Sequence, residues 1–585
     1  MIIGYNTQLI KRLGIFLRIL SLIFCMVFCQ INLPAQTLSM ENISANIVRG
    51  LQTRIKGKNK HIIQDIYARA GNQALWSGES QTQKASTLIQ ALNNPLFNYK
   101  NKSFDQASIT KLYYLLDNNN VSQSKKAAIY ARLDLILTSS MVRLVRFIVQ
   151  GDVDWNLVQK KMDALAKSDD IHSTWEMSPK TFPSVEALST AILRGEIYNY
   201  LYALIPMKDR YEKLISLLKD YRMMNKFPQI PYSKKVFTLG DSSKRIIEIK
   251  KRLQISGDYP KTSSLNKTFN QALKQAVLTY QKRYLLKITG TIDKTMTYYL
   301  NQPATKNIQA ILVNLDKTKL YPSQFENEYV EVNVPDFNLR YYSNQTMVQK
   351  LGIVVGRIDR PTPIFSDKIE YLVLNPTWTI PQNLIKRDLI HVLRDNPNYL
   401  KENNIHAFSR GKEVQVTPAM LNPYEKSKKN VPYRFVQFSG DTNALGRVKF
   451  IFPNKYSVYL HDTDNKSLHD RRYKIYSSGC VRVEHPFTLA SLLLKYAKGS
   501  YPQERINKII ATNKPTTIRL TQSIPVHIVY FTVYKEGGLA YFKNDIYLYD
   551  KIIEESTQGN TKPTFKIPEK RMITIKKKSP KPLSN

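Results

Sequence analysis

Cysteine is nearly missing from this chain: there are three in 585 residues, and two of them, Cys25 and Cys29, lie in an apolar stretch at the start. That excludes a disulfide framework and any paired-cysteine zinc spacing. Acid is scarce as well, with 46 acidic side chains against 86 basic ones, a formal net charge of +40. Such a surface attracts polyanions. There is no zinc-finger spacing and no aromatic RNA-binding signature, so nucleic acid is not the expected partner and an anionic cell envelope fits better. Beyond residue 29 no apolar run is long enough to cross a bilayer. The histidines are scattered and point to no metal site, and no cofactor is implied.

What is present begins with Lys11, Arg12 and Arg18 around "GIFLRILSLIFCMVFC" (14–29), followed by the polar "QINLPAQT". A basic start, a short apolar segment and small residues after it describe a secretory signal. Residues 1–36 are therefore expected to be a signal peptide or an N-terminal anchor. The chain is expected to be exported, to the periplasm or cell envelope, with membrane attachment through the N-terminus if the segment stays uncleaved. Removing it leaves one cysteine, Cys480. A lone thiol in an exported protein is either a small buried hydrophobe or a functional group, and its surroundings decide between them.

The predicted fold class is multidomain α+β. Residues 45–235 carry apolar residues at three- and four-residue spacing, as in "AAIYARLDLILTSSMVRLVRFIVQG", and read as a helical scaffold domain. Residues 237–303 read as three short helices, the first with Ile246, Ile247, Ile249 and Leu253 along one face. "LGD", "LKQAVLTYQKRYLL" and "TGTID" make this unit similar to the peptidoglycan-binding domain family; a generic three-helix spacer is the plainer alternative. From 326 to 525 the texture changes to strands such as "MVQKLGIVVGRI", "GRVKFIFPN" and "YSVYLHDT", which predict a mainly antiparallel β domain. An insertion at about 382–440, helical in its first half, is long enough to be a lid. Two strands, "TTIRLT" and "PVHIVYFTVYK", follow, with 526–558 read as a C-terminal strand and extension. Residues 559–585 are rich in lysine and proline and read as a disordered basic tail.

Cys480 sits in "YSSGCVRVEHP". A thiol becomes a strong nucleophile when a base takes its proton and a positive neighbour steadies the thiolate. His461 ends the strand "KYSVYLHDT", nineteen positions earlier, and the loop between them is long enough to fold back. His469 and His485 are rivals, but a base at a strand end is better fixed than one in a loop. Gly479 permits a tight turn, and amides around Gly479 and Cys480 are candidate oxyanion donors. Ser477 and Ser478 fit loop support through local hydrogen bonds, or plain turn chemistry. Tyr459 shares a strand face with His461 and is a candidate for the donor pocket. Arg482 is a candidate for binding a substrate carboxylate, or for an ion pair with Glu484.

Together, "YLHDT … YSSGCVRV" resembles the signature of the L,D-transpeptidase family, whose catalytic domain is of the YkuD type. "VNVPDFNLRYY", "VVGRIDRPTP", "LNPTWTIP" and "GRVKFIFPN" occur in the family's order, and the whole resembles its large periplasmic branch, with a scaffold, a peptidoglycan-binding domain and a helical capping insertion. The resemblance implies that Cys480 is the acylated nucleophile and His461 the general base, and places Trp378 near the cleft. It implies attack on the carbonyl of a diamino acid at position three of a stem tetrapeptide, loss of the terminal D-alanine, and transfer to the side-chain amine of a second stem, a 3→3 cross-link. Peptidoglycan stem peptides and glycan are the implied partners. Three positions depart from common members: Ser478 replaces a histidine, Asp462 a glycine and Arg482 an asparagine. The competing readings are an L,D-carboxypeptidase using water, a secreted Cys–His peptidase, and a non-catalytic envelope-binding scaffold.

Overall fold

The computed structural model describes residues 39–77, 82–117, 121–166, 174–284 and 286–557. The expected signal segment, with Cys25 and Cys29, and the basic tail 559–585 lie outside the described residues. Contacts divide the chain into two units, Met1–Ala85 with Asp105–Ser139, and Ser86–Phe104 with Ser140–Asn585. Among the described residues no helix is long and apolar enough to cross a membrane.

The first unit is helical. In Met40–Thr53 the buried Ile43, Ile47 and Leu51 recur every four residues, and in Lys60–Arg69 the buried Ile66 and Tyr67 follow Ile63 by three and four residues. Its polar centre is Asp134, which is fully buried and accepts hydrogen bonds from the Leu75 and Trp76 amides at 3.0 and 2.8 Å and from Tyr67 Oη at 2.7 Å. A buried carboxylate persists only when donors surround it in this way.

The second unit combines helices with a β-rich C-terminal part. Three of its helices, Lys244–Ser256, Gln271–Arg283 and Lys294–Leu300, start at Ser243, Asn270 and Asp293, whose side chains accept from the Arg245, Leu273 and Met296 amides. They share a core of Ile246, Ile249, Leu253, Leu273, Val277 and Met296, from which Ile247 is turned aside, half-buried.

The strands are β1 (Glu328–Asn333), β2 (Asn338–Ser343), β3 (Thr346–Gly356), β4 (Ser366–Leu374), β5 (Trp378–Thr379), β6 (Ile405–Ser409), β7 (Lys412–Val414), β8 (Arg434–Gln437), β9 (Val448–Ile451), β10 (Leu460–His461), β11 (Ile475–Ser477), β12 (Val481–Val483), β13 (Thr516–Val529), β14 (Val533–Glu536) and β15 (Leu539–Phe542). Nine of them form one sheet in the order β11-β3-β12-β10-β9-β4-β13-β1-β2, and β2 also pairs with β3, so the sheet closes on itself. β3 makes this possible by pairing with β2 through its first half and with β12 and β11 through its last residues. Most pairings are antiparallel, as the alternation predicts, but β1–β13, β10–β12 and β11–β3 are parallel. Alternate residues of these strands, among them Val330, Leu339, Ile353, Leu372, Phe450, Leu460 and Val481, share one apolar core with Leu489 and Leu493 of the helix Pro486–Leu493.

Two expectations change. "TTIRLT" and the start of "PVHIVYFTVYK" are one strand, β13, with an irregularity between Arg519 and Ile524, so the expected boundary at 525/526 falls inside it. "YSVYLHDT" yields only the two residues of β10, because Asn454 gathers the Tyr456 and Val458 amides into a turn and Ser457 is left-handed, with φ +55°. The insertion starts with a helical run, Gln382–Leu384, Ile385–Leu389 and Ile390–Asp395, with a π-turn in the middle. Its second half supplies β6, β7 and β8, which join β5, just before the insertion, in a four-stranded antiparallel sheet ordered β5-β8-β6-β7, and Ile385, Ile390, Leu393, Leu421 and Phe435 give the insertion a core of its own.

Candidate active site

Strand parity decides which residues meet. β10 pairs with β12 in parallel, Leu460 beside Val481 and His461 beside Arg482, and with β9 antiparallel, Leu460 beside Phe450 and His461 beside Lys449. Leu460, Phe450 and Val481 turn into the core. Side chains alternate along a strand, so Lys449, His461 and Arg482 stand abreast on the opposite face. One step back along β10 and β12 the Val481 amide donates to the Tyr459 carbonyl at 3.1 Å, which sets Tyr459 beside Cys480 on that same face. His461 and Cys480 are thus diagonal neighbours, with Cα atoms on the order of 7–8 Å apart.

The thiol is held by Tyr459, whose backbone amide and hydroxyl both favour the thiolate, and by a long contact of 3.9 Å to the Ser457 carbonyl. Burial nevertheless pushes the Cys480 thiol up to about 11. Burial also holds His461 down at about 3, with Arg482 adding to the effect. At neutral pH the resting pair is a neutral thiol and a neutral imidazole. His461 is only 4% exposed, its Nδ1 has no hydrogen-bond partner among the described residues, and its ring lies 5.6 Å from that of Tyr459. Tyr459 in turn takes a hydrogen bond from Trp378, so of the two aromatics named from the sequence Tyr459 meets the thiol and Trp378 meets Tyr459.

The loop before the cysteine is built by Ser477. Its hydroxyl donates to the Cys480 carbonyl at 2.5 Å and accepts from the Gly479 amide at 3.2 Å. Gly479 has φ +117°, a conformation side chains resist. The Gly479 amide is therefore committed to Ser477, whereas the Cys480 amide has no partner among the described residues and remains the candidate oxyanion donor. Ser478 is exposed and accepts from Arg360 at 3.1 Å.

Arg482 donates to Thr463 Oγ1 at 3.2 Å and its buried Nε has no partner among the described residues; the expected alternative of an ion pair with Glu484 does not form, and Glu484 lies instead 3.9 Å from His485. His485 is a largely exposed side chain outside the site, and His469 is buried, with neither ring nitrogen partnered among the described residues. Asp462 fixes the strand beyond His461: its carboxylate accepts from the Arg447 amide at 2.9 Å and the Thr463 amide at 2.7 Å and pairs with Lys466. Sequence reasoning missed Lys449, Arg360 and Asp388. For Lys449 the signal was available, since in "RVKF" it alternates with the core residues Val448 and Phe450.

Residues 327–516 match the YkuD family, the L,D-transpeptidase catalytic domain, and residues 61–218 match the Scaffold domain family. The chain is similar to a Haemophilus influenzae protein named "Putative L,D-transpeptidase", 36% identical over 245 residues that cover 42% of this chain and 49% of that one. The chain thus spans about half the length of that curated relative. Among solved structures it is similar to an L,D-transpeptidase of Stackebrandtia nassauensis (13% identical, 52% of this chain and 97% of the other, TM-score 0.19). An L,D-transpeptidase of Xylanimonas cellulosilytica is comparable (13% identical, 51% and 100%, TM-score 0.17). The catalytic-domain match runs from β1 to the first residue of β13 and takes in Cys480 and His461, so this part of the chain matches the YkuD L,D-transpeptidase catalytic domain, and a separate stretch matches the Scaffold domain.

Proposed function

We propose that this protein is a peptidoglycan L,D-transpeptidase that forms 3→3 cross-links through a thioester on Cys480. The observation that carries the reading is the register of β10 and β12, which sets Cys480 and His461 on one face of the sheet within the family's catalytic domain. In the first half-reaction His461 takes the thiol proton as Sγ bonds to the carbonyl carbon of the third residue of a tetrapeptide stem. The oxygen that becomes negative is met by the Cys480 amide. The carbon–nitrogen bond then breaks, and D-alanine leaves with the proton from His461. In the second half the side-chain amine of another stem attacks the thioester, His461 takes a proton from it, and the thiolate that leaves is reprotonated. The energy of the broken amide is kept in the thioester, so no nucleotide is consumed outside the cytoplasm.

Tyr459, Trp378 and Arg482 are assigned to the donor pocket, Ser477, Ser478 and Gly479 to the loop that presents the thiol, and the insertion at about 382–440 to covering the acyl-enzyme. Excluding water there favours the amine acceptor over hydrolysis. The three-helix unit at 237–303 is assigned to holding peptidoglycan and the basic surface to the anionic envelope, in an exported protein attached or released according to the fate of residues 1–36. The test is to incubate the chain with purified tetrapeptide muropeptides and weigh the products. Cross-linked dimers lacking one D-alanine are expected, and Cys480→Ala should abolish them while still binding the donor. Products one D-alanine lighter with no dimer would make it a carboxypeptidase; cleavage of casein and no change in muropeptides would make it a peptidase.

A further inference from the structure

Lys449, His461 and Arg482 form one rung across β9, β10 and β12. The two outer members are cations, and the acids nearby are engaged elsewhere or stand off. Asp462 is spent on the Arg447 and Thr463 amides and on Lys466, Glu484 lies beside His485, and Asp464 acts on Arg482 without an ion-pair contact. Lys449 is half-buried and, among the described residues, has neither an ion-pair partner nor a side-chain hydrogen bond. Its one close companion is the ring of Tyr459, with Nζ 5.8 Å from the centroid, at the outer edge of cation–π range. That contact orients the ammonium and leaves its three donors unused. Burial lowers Lys449 and Arg482 alike, and for each the Cys480 side chain is an opposing influence.

A desolvated cation without an anion is costly unless a ligand supplies the anion. His461 and Cys480 rest neutral, so among the described residues only Asp464, acting on Arg482 from a distance, offsets the charge of this rung, and no anion meets Lys449. The backbones of β9 and β12 are two strand spacings apart, about 9.5 Å, and a lysine side chain spans most of one. An anion on Lys449 therefore lies alongside, not on top of, a carbonyl presented to Cys480.

We propose that Lys449 is the receptor for a carboxylate of the acyl-donor peptide. The proposal rests on the transpeptidase reading above. Two carboxylates of such a donor share the chemistry: the terminal one on D-alanine, and the side-chain one of the third residue where that diamino acid carries it. Lysine meets either as a point charge with three donors.

The test uses the full chain, as wild type, Lys449→Met and Lys449→Arg, with four synthetic tetrapeptide donors: both carboxylates free, each amidated singly, and both amidated. Release of D-alanine or its amide gives KM and kcat. On the free donor Lys449→Met is expected to raise KM about tenfold with kcat within about twofold, and Lys449→Arg to recover most of the loss. One single amidation should make wild type and Lys449→Met equal, and that one names the source. Wild type alone should show the same tenfold rise on that amidated donor, so the result survives a variant that fails to fold. Equal KM for wild type and Lys449→Met on the free donor overturns the proposal. So does a fall in kcat together with an altered pH profile of Cys480 alkylation, which would make Lys449 a partner of the thiolate instead. Calorimetric binding of the four donors to Cys480→Ala separates the two readings. Discrimination among donors without turnover by wild type keeps the receptor and rejects the reaction, and no discrimination rejects the receptor.

Discussion

Arg360 grips Asp388 with both terminal nitrogens, at 2.5 and 2.9 Å. Asp388 lies on the π-turn of the insertion's helical run, and the same guanidinium donates to Ser478 Oγ in the loop before Cys480. One arginine thus ties the insertion to the cysteine loop. The Asp388 side chain is 43% exposed, so the pair contributes about 0.5–1 kcal/mol, far less than a buried pair. A tie of that strength holds the insertion down and lets it open. Asp388→Asn, and Arg360→Lys, which loses the planar fork, are expected to raise hydrogen exchange over 385–395 by about two- to fivefold. The share of acyl-enzyme lost to water should rise with it. Exchange that stays at the wild-type rate in both variants would show that the helix is held by its own apolar core alone.

The alternation in "RVKF" and "CVRV" carries the face on which Lys449, Cys480 and Arg482 lie, and the glycine before the thiol carries its turn. Those are local facts, written residue by residue. The closure of the sheet was not legible, because β3 leaves its hairpin with β2 midway to pair with β12 and β11, segments over a hundred residues away along the chain. Lys449 was passed over because a lysine in a strand ordinarily faces water; only the neighbours of β9 show what its face covers. Arg360 and Asp388 meet across an insertion, and no periodicity encodes that pairing.

The pair of buried His461 and half-buried Cys480 makes stability depend on pH in two separate windows. Burial, then Arg482, holds His461 at about 3 against an ordinary 6.5. Below pH 6.5 the unfolded chain binds a proton that the native state does not take until about 3, so stability is lost as pH falls through that range. Burial raises Cys480 to about 11 from an ordinary 9.0, so the unfolded thiol ionises first and stability is lost as pH rises from 9.0 towards 11. Each limb has a slope of up to about 1.4 kcal/mol per pH unit, or about 3–6 °C in the Tm of a domain of this size. Calorimetry should show His461→Asn flattening the acid limb and Cys480→Ala the alkaline one, each leaving the other untouched. Parallel acid limbs in wild type and His461→Asn would mean that the imidazole is reached by water in the folded protein.

Gly446 is the backbone position on which the seat of His461 depends. It is left-handed, with φ +60°, and a Cβ there would overlap the Asp462 carboxyl group. That carboxylate anchors the residue after His461 to the amides of Arg447 and Thr463. Gly446→Ala should therefore act twice: through backbone strain of about 1–3 kcal/mol, and by pushing Asp462 off its seat so that His461 tilts away from the thiol. A tilt of that kind is expected to cost about a hundredfold in turnover, since a misplacement of 1 Å suffices for such a loss. Asp462→Gly removes the carboxylate that would be struck. If the clash is the cause, the double variant Gly446→Ala/Asp462→Gly will be less impaired than the two single losses added together, with a coupling of about 0.5–3 kcal/mol. Strict additivity in turnover would place the damage in the backbone of residue 446 alone and detach Asp462 from the positioning of His461.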